Sequence, residues 1–239
     1  MTAEEIRRME ERVAQVRAEM ERACRAAGRA PGEVLLCAAS KTQNSETVRA
    51  AAALDIDLFG ENRVQELCEK YAAGAYSGKP LHFIGHLQTN KVRQLLRLRP
   101  AMIESIDTER LLRAVDAEAE RQDFTARVLM QLHVAAEETK FGFSPDELMD
   151  FFRRRGYESL RATHICGVMG MASNTDDEAR VREDFARIRA TFDAIRSLCP
   201  DLRGFDTVSM GMSHDYHLAI AEGSTMVRVG TAIFGDRQY

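Results

Sequence analysis

Apolar residues recur along this chain at two alternating periods. Near the start, Ile6, Met9, Val13, Val16 and Met20 are spaced three and four apart, the signature of an amphipathic helix, which should end near Gly28 before Pro31. A short apolar run, Glu33 to Ser40, then reads as a buried strand. From there helix and strand patterns alternate. Strands are predicted at Asp55–Phe59, Leu81–Ile84, Met102–Ile106, Ala126–Val134, Leu160–Met169, Thr207–Met210 and Thr225–Val229. Helices are predicted from Ser45, over Val64–Ala73, Lys91–Arg97, Glu109–Arg121, Pro145–Arg155 and Tyr216–Ala221, and as a long segment with Val181, Phe185, Ile188, Phe192 and Ile195 on one face.

Eight strands interleaved with helices favour a parallel sheet with right-handed crossovers. In 239 residues this suggests an α/β protein built as a closed (β/α)8 TIM barrel, with an open doubly wound sheet as the alternative. The leading helix, residues 1–29, would pack on the barrel in place of a missing eighth helix. No Pro/Gly/Ser-rich linker divides the chain, so residues 1–239 are expected to form one domain.

Composition narrows the function. A net charge of −4 without segregated basic residues argues against a nucleic-acid surface, and Arg153-Arg154-Arg155 reads as a solvated helix end. No apolar run reaches the ~20 residues that span a bilayer, and the N-terminus lacks an apolar signal core. The five cysteines lack a C-x-x-C pair and read as reduced thiols of a cytoplasmic protein. Histidines show no metal-ligand spacing, Glu137-Glu138 and Asp176-Asp177 read as solvated charges, and the eleven methionines as core filler.

The chemistry is concentrated near the end, from Ser209 to Gly235. Two Gly/Ser/Thr clusters, Ser209-Met-Gly-Met-Ser213 and Gly230-Thr231, flank a helix and an apolar strand that holds one arginine, Arg228. Backbone amides in such loops can approach an anion unobstructed. On a barrel they fall after strands seven and eight, where phosphate is often held. Lys41 directly follows the first strand, and alternation places Leu35, Cys37, Ala39 and Lys41 on one face. Lys41 is then either a surface loop lysine or an amine at the barrel mouth able to form a Schiff base. A phosphate ligand bearing a carbonyl suits both features, and pyridoxal 5′-phosphate (PLP) is one.

The segments A-A-S-K-T (38–42), F-G-E-N-R-V-Q-E (59–66), H-F-I-G-H-L-Q-T-N-K (82–91), E-E-T-K-F-G (137–142) and the C-terminal stretch resemble the YggS/PROSC family of pyridoxal-phosphate homeostasis proteins. That family shares the barrel of the alanine racemase N-terminal domain. The resemblance implies that Lys41 is the aldimine lysine, with Ser209, Ser213, Gly230 and Thr231 around the phosphate. It also implies that Arg228 faces the pyridine nitrogen and Asn62 lies near the ring, with His82, Gln88 and Asn90 at the site mouth. An arginine stays charged and only donates, so it leaves the ring nitrogen unprotonated and weakens the ring as an electron sink. The alternative for Arg228 is a structural arginine paired within the barrel.

The same resemblance implies that the C-terminal β domain with which alanine racemases supply a tyrosine is absent, and Tyr216, His214 and His217 read as helix-surface residues. The chain departs from the usual pattern at Gln43, where a lysine is common, at Arg63, where an aromatic is common, and at His133, where asparagine is common. Lys140 matches. The expected function is PLP binding in cofactor and amino-/keto-acid homeostasis with little turnover, by a monomer with at most transient contact with PLP enzymes. The alternatives are a weak amino-acid racemase and a Schiff-base aldolase acting on a sugar phosphate.

Overall fold

A computed structural model describes residues 1–135 and 141–235. The helix α1 (Ala3–Ala26) begins with a capping box, in which the Thr2 hydroxyl accepts from the Glu5 amide and the Glu5 carboxylate accepts from the Thr2 amide. Its stripe Met9, Val13, Val16, Met20 and Cys24 is buried. The strands follow as β1 (Leu35–Ala39), β2 (Leu58–Glu61), β3 (Leu81–Phe83), β4 (Met102–Ile106), β5 (Ala126–His133), β6 (Thr163–Met171), β7 (Thr207–Ser209) and β8 (Met226–Val229). All pair in parallel, and β8 pairs with β1, so the sheet closes in sequence order. The open-sheet alternative is excluded.

The outer layer consists of α2 (Ser45–Ala51), α3 (Val64–Ala72), α4 (Val92–Leu96), α5 (Glu109–Arg121), α6 (Pro145–Arg153), α7 (Glu178–Leu198), α8 (Tyr216–Ala221) and the short α9 (Thr231–Phe234). Their starts are encoded locally. Asn44, Thr108 and Ser144 cap α2, α5 and α6, and Pro145 opens α6 where its missing N–H costs nothing. The helix α1 packs against α8, α9 and α2, which completes the outer ring as expected for the leading helix.

Two cores result. The larger lies between sheet and helices. The smaller fills the barrel with Cys37, Leu58, Met102, Leu129, Cys166, Met169 and Met226. Leu35, placed inside by strand alternation, sits instead at the N-terminal end of its strand and is 44% exposed. Between β5 and β6 the register shifts by one residue just before Gly167. A side chain there would meet the Thr207 carbonyl at 1.8 Å, so the bulge requires glycine.

Two strands start three residues later than expected. The second strand starts at Leu58 rather than Asp55, because the Asp57 carboxylate accepts the Leu36 amide at 2.6 Å and an Arg17 N–H at 3.0 Å. The sixth starts at Thr163, because Asp116 accepts the Arg161 and Ala162 amides ahead of it.

Candidate functional site

At the C-terminal ends of the strands, a cavity of about 210 Å³ opens between the ends of β1, β2 and β8 and the loop after β7. This is the face where barrels of this kind place their chemistry. Lys41, Asn62, Ser213, Arg228, Gly230 and Thr231 all line it.

Lys41 is held in place by its neighbours. Behind it, Lys70 Nζ donates to the Ser40 carbonyl (2.8 Å) and to Glu61 Oε1 (2.7 Å). The Ser40 hydroxyl and the Tyr76 phenol donate to the same oxygen at 2.6 and 3.2 Å. On its other side, the Thr42 amide donates to Glu66 (2.9 Å), and Thr42 has a φ of +68°. A β-branched residue with positive φ is strained, and it persists here because both flanks of Lys41 are clamped. Glu61 is fully buried, and burial raises its pKa against the opposing pull of Lys70.

The opposite wall is Arg228, only 5% exposed. Its Nη1 donates to the Ser209 hydroxyl (2.5 Å) and its Nη2 to the Gly170 carbonyl (3.0 Å). The Ser209 hydroxyl donates in turn to Glu104 Oε2 (2.6 Å), and His82 Nδ1 lies 2.6 Å from Glu104 Oε1. Burial opposes ionisation of Glu104, but the His82 contact, the charges of His82 and Arg228 and the Ser209 bond outweigh it and hold the carboxyl below its ordinary range.

At the third side, the Ser213 hydroxyl accepts from the Gly230 and Ala232 amides, at 3.1 and 3.4 Å. These N–H groups open α9 and converge on one oxygen, as they would on an anion. The Asn62 Oδ1 atom is buried with no hydrogen-bond partner. Asn62 itself needs Gly85 beside it, because a Cβ there would meet the Asn62 carbonyl at 2.1 Å.

Other residues singled out in the sequence lie elsewhere. Ser209 faces inward on β7, and its hydroxyl is taken up by Glu104 and Arg228; it is not in the cavity lining. The loop beyond the strand, at Ser213, reaches the mouth instead. His82 lies within the barrel against Glu104, while Gln88 and Asn90 are exposed in and beside the 3-10 turn Thr89–Lys91, away from the cavity. Tyr216, read as a helix-surface residue, is buried and donates to Glu19 of α1, so it faces away from the site. His214, read the same way, lines the cavity with Gln43. Met169 and Met210 are core, while Met171 and Met212 line the cavity. Arg63 pairs with Glu66 at 3.5 Å, and His133 Nδ1 is buried without a partner. Glu137, Glu138 and Lys140 lie outside the described residues.

Sequence reading missed Glu104, Glu61 and Lys70. A signal existed for two of them. Glu104 interrupts the apolar run M-I-E-S-I, and Lys70 falls on the apolar stripe Val64, Leu67 of its own helix. Among the described residues, no group of histidine, cysteine and carboxylate side chains could hold a metal ion.

The fold and this cavity define a class: (β/α)8 barrels whose C-terminal mouth brings together a primary amine, a guanidinium and backbone amides. Comparison with known proteins narrows the class. Residues 12–238 match the family described as alanine racemase, N-terminal domain. A pyridoxal phosphate homeostasis protein of Aquifex aeolicus is 35% identical over 233 residues, 96% of this chain and 98% of that protein. The chain therefore belongs to the alanine racemase N-terminal domain family and, with such relatives, to the pyridoxal phosphate homeostasis proteins.

Solved structures agree. A protein from Bifidobacterium adolescentis, described only as unknown, superposes with a TM-score of 0.91 at 33% identity, covering 98% of this chain and 97% of that one. PipY of Synechococcus elongatus, solved with PLP bound, gives 0.81 at 30% identity, covering 95% of this chain and 100% of that one.

Proposed function

We propose that this chain binds PLP at the mouth of its barrel, with Lys41 as the anchoring amine, and serves intracellular cofactor and amino-/keto-acid homeostasis rather than rapid turnover. The observation that carries this reading is that Lys41, Arg228, Gly230 and Ser213 line one cavity, with the Gly230 and Ala232 amides both donating to Ser213 Oγ. Those residues fit the cofactor's chemistry. Ser213 Oγ already occupies the acceptor position that a phosphate oxygen would take, and Asn62 Oδ1 awaits a donor. The names of the relatives and the PLP held by PipY support the same assignment.

When bound, the cofactor supplies an aldehyde that accepts a primary amine and a ring that draws electrons from it. The chain's own residues set the limits of that chemistry. Lys41 is presented from a clamped strand end. Gly230, Thr231 and Ser213 would hold the phosphate, and Asn62 would accept from a ring substituent. Arg228 can only donate, so it offers no proton acceptor to a ring nitrogen and favours its unprotonated form. That arrangement suits storage and delivery better than carbanion chemistry. The whole chain acts as one domain, as a cytoplasmic monomer that meets PLP enzymes transiently. Among the described residues no helix is long and apolar enough to cross a membrane.

The test is uptake. Purified protein incubated with PLP and desalted should show a visible absorbance band. After borohydride reduction, mass spectrometry should find one cofactor adduct on Lys41. Lys41→Ala should lose both. A wild type that stays colourless after incubation would overturn the proposal.

A further inference from the structure

We propose that Glu104, at the centre of the barrel, is a positioning residue that sets the orientation and the effective charge of Arg228. This rests on the PLP reading above and goes beyond it, because Glu104 does not line the cavity. Nothing about a barrel core requires a carboxylate at this place. The rest of the barrel interior is filled by the apolar cluster that includes Leu58, Met102 and Leu129, and burying an ion beside it is costly unless each of its oxygens is satisfied.

Here each oxygen is satisfied. Glu104 Oε1 meets His82 Nδ1 and Oε2 accepts from Ser209, whose hydroxyl accepts from Arg228 Nη1. Arg228 Nη1 is 3.8 Å from Oε2, close enough for the charges to offset one another. The guanidinium plane is fixed by two acceptors on different strands, Ser209 on β7 and Gly170 on β6.

The ionisable groups around this pair are few. His82 comes from β3, and Cys37 on β1 sits in register with Arg228, its thiol pushed well up by burial and therefore neutral. Asp215, beyond β7, is raised by burial and also feels Arg228. Glu104 is thus the carboxylate held in a bonded chain to the guanidinium. With it present, the guanidinium that would face the cofactor belongs to an ion pair whose charges offset one another. Without it, a full positive charge would face the same cavity as Lys41 and disfavour a proton on the lysine nitrogen.

The experiment is a pH titration, at low ionic strength, of the visible band of PLP-loaded protein. Glu104→Gln should lower the midpoint on the order of one pH unit relative to wild type. Ser209→Ala keeps both charges and removes one orienting acceptor. It should leave the midpoint near wild type while weakening cofactor affinity several-fold. A purely structural Glu104 predicts lower thermal stability with an unchanged midpoint, and that result overturns the proposal. So does a Ser209→Ala midpoint shifted as far as that of E104Q.

If E104Q yields no folded protein, Arg228→Gln and the double variant E104Q/R228Q give the same contrast without an unpaired arginine. The midpoint should rise in R228Q, where Glu104 is left unopposed, and return toward wild type in the double variant. Equal midpoints in the two overturn the proposal. A wild type that takes up no cofactor overturns this inference together with the PLP reading. A wild type that binds while its variants titrate alike overturns the inference alone.

Discussion

Lys41 becomes a candidate amine through residues that never touch the cavity. The Lys70–Glu61 pair, with Ser40 and Tyr76, is buried, and one Glu61 oxygen has no partner at all. Breaking a buried pair from one side leaves an uncompensated charge, typically worth about 3–5 kcal/mol, whereas removing both charges is far milder. Lys70→Met should therefore destabilise the fold by about 3–5 kcal/mol, and Glu61→Gln/Lys70→Met should recover most of that loss. Urea denaturation of wild type, both single variants and the double variant measures the coupling. A coupling energy near zero would mean that the pair does not hold the strand end.

At the scale of elements, α1 connects the outer layer to the site. Its buried stripe packs on α8 and α9, and α9 carries the amides that converge on Ser213. Gly235, at the end of α9, lies so close to Arg12 that a side chain there would meet Arg12 Nη1 at 2.9 Å. Met20→Ala should cost about 2–5 kcal/mol, as large-to-small core substitutions do. Arg22→Ala, on the exposed face, should stay within about 0.5 kcal/mol of wild type. Thermal and urea midpoints of the two variants check this, and equal losses would show that the stripe is not core.

The stripe of α1, the eight strands and their closure were legible because period and alternation report burial directly. α5 and α8 even keep their predicted ends. The two misplaced strand starts both trace to carboxylates that accept main-chain amides, Asp57 ahead of β2 and Asp116 ahead of β6. Asp55 and Asp57 alternate with apolar neighbours as a strand would, but they serve Arg17 and the Leu36 amide, while the strand continues through Gly60 and a buried Glu61. A charged residue looks exposed until its partner is known, and Lys70 and His82 are the partners of Glu61 and Glu104. The four-residue α9 is too short for any period to reveal. Lys41 and the Gly230 loop were candidates because each follows a strand, and Arg228 because it interrupts an apolar one. Position left Lys41 open as a surface lysine and Arg228 as a structural arginine, and only the family resemblance implied their roles.

For the whole molecule, these carboxylates decide how stability responds to acid. The chain carries 37 acidic against 33 Lys and Arg residues, so it is mildly negative at neutral pH and strongly positive once its carboxyls are protonated. Glu104 is held below its reference value of 4.5, so its ionised form favours the fold. Its contribution is present above the unfolded-state pKa and is lost as pH falls through the folded value. Glu61 is raised from the same reference by burial, so its contribution runs the other way, fullest in acid and lost as pH rises through its folded value. The stability gap between wild type and Glu104→Gln should therefore narrow as pH falls from about 7 to about 3. Measured relative to Glu61→Gln, wild type should gain over the same interval. Unfolding free energies from urea titrations across the series read both slopes. A wild-type-to-E104Q gap that stays constant with pH would mean that the Glu104 carboxylate gains nothing from His82, Ser209 and Arg228, and that its place in the barrel is a matter of shape rather than charge.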